Sequence, residues 1–121
     1  MIKLVYCIHR HPDITRDAFH KYWLEEHGPK VKSVAASIGA TRYVQSHKCL
    51  DELNETFQKG RGLADPYDGI TEVWFESVEH MQAASATDAG VAAGRFLVED
   101  ESRFIDFSRS TVFMSEEHEI F

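Results

Sequence analysis

Residues 19–29 read FHKYWLEEHGP and contain the pattern on which the fold prediction depends. Phe19, Trp23 and His27 are four residues apart, so they share one face of a helix. Two large aromatic side chains on such a face indicate a helix that packs on a core. A histidine in line with them either caps the end of the helix or lies inside the protein for chemistry.

Strand and helix patterns continue on both sides of this stretch. The Gly28-Pro29 pair predicts a break in the helix, after which helical spacing resumes to Ile38. The remaining elements are predicted as strands over 2–9, 41–47, 70–76 and 107–115, and helices over 78–86 and 88–104. This β-α-β-β-α-β order predicts an α+β ferredoxin-like sandwich, a four-stranded antiparallel sheet with its helices on one face. Residues 48–69 are the least regular part: DELNETFQ could form two turns of helix, but KGRG and DPYDG are typical of turns, and the segment is interpreted as a lid, a dimer arm or a mobile loop.

Length, charge and cysteine content favour a single domain and argue against several functional classes. A chain of 121 residues predicts a single domain over 1–121. The net charge is −7 and no Lys/Arg cluster is present, which argues against binding of nucleic acid or an anionic membrane. The apolar runs are too short to span a bilayer, and no signal peptide is evident. Cys7 and Cys49 lack zinc-ligand spacing, and free thiols favour a cytoplasmic location.

The sheet face turned away from the helices predicts a homodimer. Val5, Cys7, Ile70 and Trp74 lie on this face among charged residues. The face is too apolar for simple solvation, and a second copy of the chain packed on it would bury it.

The signature F-x-x-Y-W-x-x-x-H-x-P is matched by Phe19, Tyr22, Trp23, His27 and Pro29. On these residues the chain resembles the EthD family of dimeric α+β barrels. The stretches EVWFESVEHM and EDESRFIDFSRS are also similar to segments of such proteins, and the likeness covers nearly the whole chain. Relatives include muconolactone-isomerase-like enzymes, polyketide cyclases, decarboxylases, cofactor-free oxygenases and proteins of unknown activity.

The resemblance implies a small apolar cavity between the sheet and the helices. His27 would reach into it from the end of the first helix, Tyr43 corresponds to a tyrosine of isomerase-like relatives, and His47 lies on the same face. The strand-3 cysteine of some relatives is Val73 here, and the second-helix tyrosine and histidine of plant-type cyclases fall on Ala84 and Gly90. The implied cavity wall consists of Leu4, Tyr6, Ile8, Phe19, Trp23, Thr71, Val73, Phe75 and Phe96.

The chemistry of the side chains makes His27 the leading candidate for proton transfer. Histidine titrates near neutrality, and apolar walls would lower its pKa and keep a neutral base available. The alternative is a histidine that caps the helix end. Tyr6 and Tyr43 are candidates to donate to a carbonyl or enolate oxygen, or else they are core tyrosines.

No cofactor or metal is predicted. His9 and His11 share one side of a strand, but no third ligand lies at chelating spacing. No nucleotide, phosphate, zinc or nucleophile-elbow motif is present. Together with the resemblance, this predicts a cofactor-independent isomerase, cyclase, lyase or decarboxylase for a small apolar cyclic or aromatic carbonyl compound, with His27 as the proton-transfer residue. A cofactor-free oxygenase of a phenolic or anthrone-like substrate and a non-enzymatic binding protein for a hydrophobic metabolite are the alternatives.

Overall fold

The computed structural model describes residues 2–121, and within that range four strands form one antiparallel sheet. The strands are β1 (Ile2–Ile8), β2 (Ala40–His47), β3 (Gly69–Phe75) and β4 (Thr111–Glu116). They lie in the spatial order β2-β3-β1-β4, with the first and third strands in the middle. This order confirms the ferredoxin-like fold.

The helices connect these strands, and the helical segments that contain Trp23, Val31 and Leu97 lie on one face of the sheet. The helices are α1 (Arg16–Tyr22), α2 (Gly28–Val34), α3 (Asp51–Arg61), α4 (Val78–Ala86) and α5 (Asp88–Glu101). The hydroxyl of Thr15 accepts a hydrogen bond from the backbone of Ala18 and so caps α1. Ser77 and Thr87 cap α4 and α5 in the same way. No helix within residues 2–121 is both long and apolar enough to cross a membrane.

The predicted break at Gly28-Pro29 is wrong. A π-helical turn, Trp23–His27, joins α1 to α2, and Gly28 itself has helical dihedral angles. The N–H of Gly28 donates to the carbonyl of Trp23, five residues back. The wider turn places Pro29 at the start of α2, where its missing N–H costs little.

Two further boundaries differ from the sequence prediction. Residues 48–69 contain the helix α3, which an ion pair between Arg16 and Asp51 ties to α1. Residues Phe107–Arg109 form a short 3₁₀ turn, so β4 begins at Thr111 and not at residue 107. Both segments carry polar turn residues that periodicity alone does not resolve.

The strand register decides which side chains face the helices. Leu4 of β1 lies opposite Val73 of β3, and Tyr6 lies opposite Thr71. The helix-facing side chains pack toward the aromatic residues Trp23 and Phe19, which are fully buried. The core is completed by Ile8, Phe104 and Ile105. On the opposite sheet face, Ser46 and Ile70 share a groove with Phe57 of α3 at the β2 edge.

Candidate active site

A cavity of about 230 Å³ lies between the sheet and the helices. Of the residues predicted for the site, nine line it: Leu4, Tyr6, Ile8, Trp23, His27, Tyr43, Thr71, Val73 and Phe75. The sequence prediction did not include the other lining residues, Val31, Ile38, Leu97, Glu101, Ile105 and Val112. An apolar cavity somewhat larger than the ~150 Å³ that admits benzene suits a small ring compound.

Three predicted cavity residues lie elsewhere. Phe19 is completely buried in the core, where its ring packs against Phe104. His47 stacks on the outer side of the Trp23 indole, with ring centroids 4.3 Å apart. Phe96 is 41% exposed on α5, because the helix turns its neighbour Leu97 toward the sheet instead.

His27 is held by a buried carboxylate. Its Nδ1 lies 2.7 Å from Oδ2 of Asp100, at the end of α5, and both residues are almost completely buried. The other carboxylate oxygen of Asp100 accepts hydrogen bonds from Lys30, at 2.7 Å, and from the hydroxyl of Tyr22. His27 therefore does not cap a helix end. It forms a fixed pair with a residue 73 positions away.

The pair has a defined protonation state at neutral pH. Burial would raise the pKa of Asp100, but hydrogen bonds from Lys30, Tyr22 and His27 outweigh it and hold that pKa at about 2. Burial lowers the pKa of His27 more than Asp100 raises it. A neutral histidine beside a carboxylate carries its proton on Nδ1, so the lone pair of Nε2 is free. No hydrogen bond within residues 2–121 occupies Nε2.

A group of hydrogen-bond donors occupies the β2 side of the cavity. The Gln45 amide donates to the Tyr43 hydroxyl and to the Trp23 carbonyl in the π-helical turn, both at 2.8 Å. Burial raises the pKa of Tyr43, so the phenol keeps its proton. The Trp23 indole N–H is buried near the Tyr43 hydroxyl but makes no well-formed hydrogen bond in the described chain. A buried donor without a partner is rare and suits an oxygen atom of a ligand.

Glu101 occupies the β1 side of the cavity, beside Tyr6. Burial raises its pKa to about 7, despite a favourable interaction with the Tyr6 hydroxyl, and the negative charge of Asp100 adds to the rise. Burial also raises the pKa of Tyr6. The sequence prediction missed Glu101, although Leu97 and Glu101 are one helical turn apart and share a face.

No group of three or more His, Cys, Asp or Glu side chains within residues 2–121 is arranged to hold a metal ion. His9 lies beside Asp68 and stacks on Tyr67, while His11 pairs with Asp13. The two histidines therefore have separate partners.

The comparison with protein families decides the identity of the domain. The family model of the EthD domain matches residues 11–108, most of the chain. The chain belongs to the EthD family. No curated protein has a significantly similar sequence.

Solved structures show the same fold as this EthD protein at low sequence identity. An ethyl tert-butyl ether D (EthD) family protein of Bacillus halodurans is 19% identical over 98% of this chain and 99% of its own, with a TM-score of 0.64. An EthD-like protein of Ralstonia eutropha is 18% identical over 95% and 90%, with a TM-score of 0.57. SnoaB, a cofactor-independent oxygenase from Streptomyces nogalater, is 8% identical over 98% and 93%, with a TM-score of 0.56.

Proposed function

We propose that this EthD protein is a cofactor-independent acid/base enzyme for a small, apolar, cyclic or aromatic carbonyl compound. The observation that carries the proposal is the His27–Asp100 pair at the wall of an apolar cavity. A neutral histidine oriented by an ionised carboxylate is an effective general base near neutral pH. The reaction is an isomerisation, cyclisation, elimination or decarboxylation.

The proposed first step is abstraction of a proton from the carbon next to the substrate carbonyl. Nε2 of His27 takes this proton, and the electron pair of the C–H bond moves to the carbonyl oxygen. The resulting imidazolium is stabilised by Asp100. Tyr43 and the Trp23 indole N–H donate hydrogen bonds to the enolate oxygen. His27 then returns the proton to the same or another carbon atom.

An oxygenase is the second candidate. Its support is the shared fold with SnoaB, a cofactor-independent oxygenase. Deprotonation of an electron-rich phenol or anthrone by His27 would begin that reaction as well. Oxygen consumption during turnover of anthrone, measured with an oxygen electrode, separates this activity from proton transfer alone.

We also propose a homodimer that forms through the sheet face opposite the helices. Phe113 of β4 is 53% exposed on this face, beside Val5 of β1. Trp74 lies there too, under the guanidinium of Arg42. Trp74 is already buried by its own chain, so the exposed apolar surface of Phe113 supports a symmetric interface. The free thiols of Cys7 and Cys49 support a reducing compartment such as the cytoplasm.

The test is isotope exchange into a small cyclic ketone. The protein is incubated with 2-tetralone in D₂O, and deuterium at the carbon next to the carbonyl is followed by NMR. We expect His27→Ala to lower the protein-catalysed exchange rate by roughly 100-fold or more. Asp100→Asn should also lower it, because the amide no longer holds His27 in one tautomer.

His118→Ala is the matched control, because His118 is an exposed histidine in the C-terminal tail. Its exchange rate should equal that of the native protein. Saturable binding of the ketone without any exchange would contradict the proposal and favour a binding or accessory protein. Exchange that survives His27→Ala in a folded variant would contradict the role of His27.

A further inference from the structure

The cavity has a second pair of polar side chains, Glu101 and Tyr6, which the proposed proton transfer does not use. Glu101 and Tyr6 line the cavity from α5 and β1, whereas Tyr43 and Trp23 line the cavity from β2 and the π-helical turn. In the sheet, β3 separates β1 from β2. The backbones that carry Tyr6 and Tyr43 are therefore roughly 10 Å apart, about the length of a substituted ring system.

The other side chains that line the cavity are mostly apolar. Leu4, Val73 and Ile105 lie among the lining residues, and Thr71 is the polar exception on the central strand. None of the cavity-lining residues in the described chain is a lysine or an arginine. A charged ligand would therefore lose its hydration without gaining a counter-ion, which is costly.

Glu101 also differs from its neighbour Asp100 in what surrounds it. Asp100 accepts hydrogen bonds from three side chains and is bridged to Lys30. Glu101 has no ion-pair partner within residues 2–121 and interacts with the Tyr6 hydroxyl. A carboxyl group buried without a cation keeps its proton more readily. The protonated group offers both a donor and an acceptor to a ligand.

We propose that Glu101 and Tyr6 form a second oxygen-binding pair in the cavity, so that the substrate is an uncharged ring compound with two oxygen functions. This inference rests on the proposed function, because it takes the cavity as the substrate site. The substrate carbonyl binds at Tyr43 and Trp23. A hydroxyl or second carbonyl binds at Glu101.

The test compares two planar ligands that differ only by a second hydroxyl group. Calorimetry measures the dissociation constants of 2-naphthol and naphthalene-2,6-diol at a pH below the Glu101 pKa of about 7. The native protein should bind the diol about 3- to 10-fold more tightly, the gain expected from one hydrogen bond. Glu101→Leu should abolish this difference, and Glu101→Gln should keep most of it.

Glu99→Leu is the control, because Glu99 is exposed on the same helix. It should leave the preference for the diol unchanged. If Glu101→Leu does not fold, Tyr6→Phe provides the same comparison with a smaller expected loss. Replacement of the second hydroxyl by a carboxylate, in 6-hydroxy-2-naphthoate, should weaken binding.

Equal affinity of the native protein for 2-naphthol and the diol would overturn this inference. A preference for the diol that survives Glu101→Leu would overturn it as well. Either result is independent of the exchange assay on His27, which measures proton transfer and not the affinity for a second oxygen. Failure of that assay together with an intact diol preference would instead point to a binding protein.

Discussion

At the scale of single residues, two adjacent carboxyl groups have opposite environments. Asp100 and Glu101 follow each other at the end of α5, yet the pKa of one is about 2 and that of the other is about 7. The difference arises because Asp100 accepts hydrogen bonds from Lys30, Tyr22 and His27, while burial dominates at Glu101. Such a separation of pKa values is typical of sites that use one group charged and another neutral.

The raised pKa of Glu101 predicts how stability depends on pH. The native protein holds the Glu101 proton up to about pH 7, whereas the unfolded chain releases it near the ordinary 4.5. The stabilising contribution of this proton is therefore lost as the pH rises from 4.5 to 7. Relative to the native protein, Glu101→Gln should gain up to about 3 kcal/mol in free energy of unfolding between pH 4.5 and pH 8.

Denaturant titrations at a series of pH values measure this gain. The other titratable groups that face Glu101 are Tyr6, Tyr43 and Asp100, and their shifted pKa values keep them in one protonation state over this range. His27 lines the same cavity and titrates in both proteins. Glu99→Gln should show no pH-dependent gain. A constant difference between Glu101→Gln and the native protein would mean that Glu101 is ionised throughout.

At the scale of elements, the π-helical turn determines where His27 points. In a regular α-helix, residues four apart drift by about 40° around the axis, so Phe19 and His27 would lie about 80° apart, near the two edges of the face. The wider turn from Trp23 to His27 offsets this drift and keeps His27 buried. It also presents the Trp23 carbonyl to Gln45, which links the helix to β2. Local rules for Gly-Pro predicted a break because they do not include this tertiary hydrogen bond.

Trp23 requires a glycine on the neighbouring strand. A Cβ atom at Gly69 would lie 2.4 Å from Cζ3 of Trp23 and 2.7 Å from the carbonyl oxygen of Ser46. Gly69→Ala should therefore move the indole or the strand, and lower the free energy of unfolding by about 1–3 kcal/mol. Denaturant unfolding measures the loss, and near-UV circular dichroism reports the displaced Trp23.

Gly94→Ala is the matched control on α5. A Cβ atom there meets nothing within 4 Å, and alanine replaces glycine inside a helix. This variant should gain about 0.5–1 kcal/mol. Equal stability of Gly69→Ala and the native protein would mean that Trp23 is not packed against β3.

At the scale of the whole molecule, the two faces of the sheet have different roles. The face toward the helices forms the cavity and the core, and its residues follow from strand alternation. The other face carries Val5, Trp74 and Phe113, with α3 near its β2 edge. The proposed homodimer would bury this second face.

A substitution that places a charge on the sheet face opposite the helices tests the proposed homodimer. Phe113→Lys should convert the protein to a monomer, because a lysine would be buried without a partner at the proposed interface. Light scattering after size-exclusion chromatography measures the mass. Phe96→Lys is the control, since Phe96 is comparably exposed but lies on α5, away from this face. A dimeric Phe113→Lys protein would exclude this sheet face as the interface.

Local sequence patterns were enough to predict the β-α-β-β-α-β order and the helix-facing side of each central strand, whereas for His27 they left a helix cap and an interior position open. Alternation and helical spacing are local properties, so Leu4, Tyr6, Thr71 and Val73 could be assigned to one face without a structure. The caps at Thr15, Ser77 and Thr87 also depend only on residues next to them in the chain.

Only the tertiary structure decided what surrounds His27. Asp100 is 73 residues away from it in the chain, so no local pattern connects the two. The π-helical turn, the exposure of Phe96 and the position of His47 outside the cavity likewise depend on how α1, α5 and β2 pack. The chemistry of the site follows from burial and from contacts distant in sequence, because these set which side chains keep their protons.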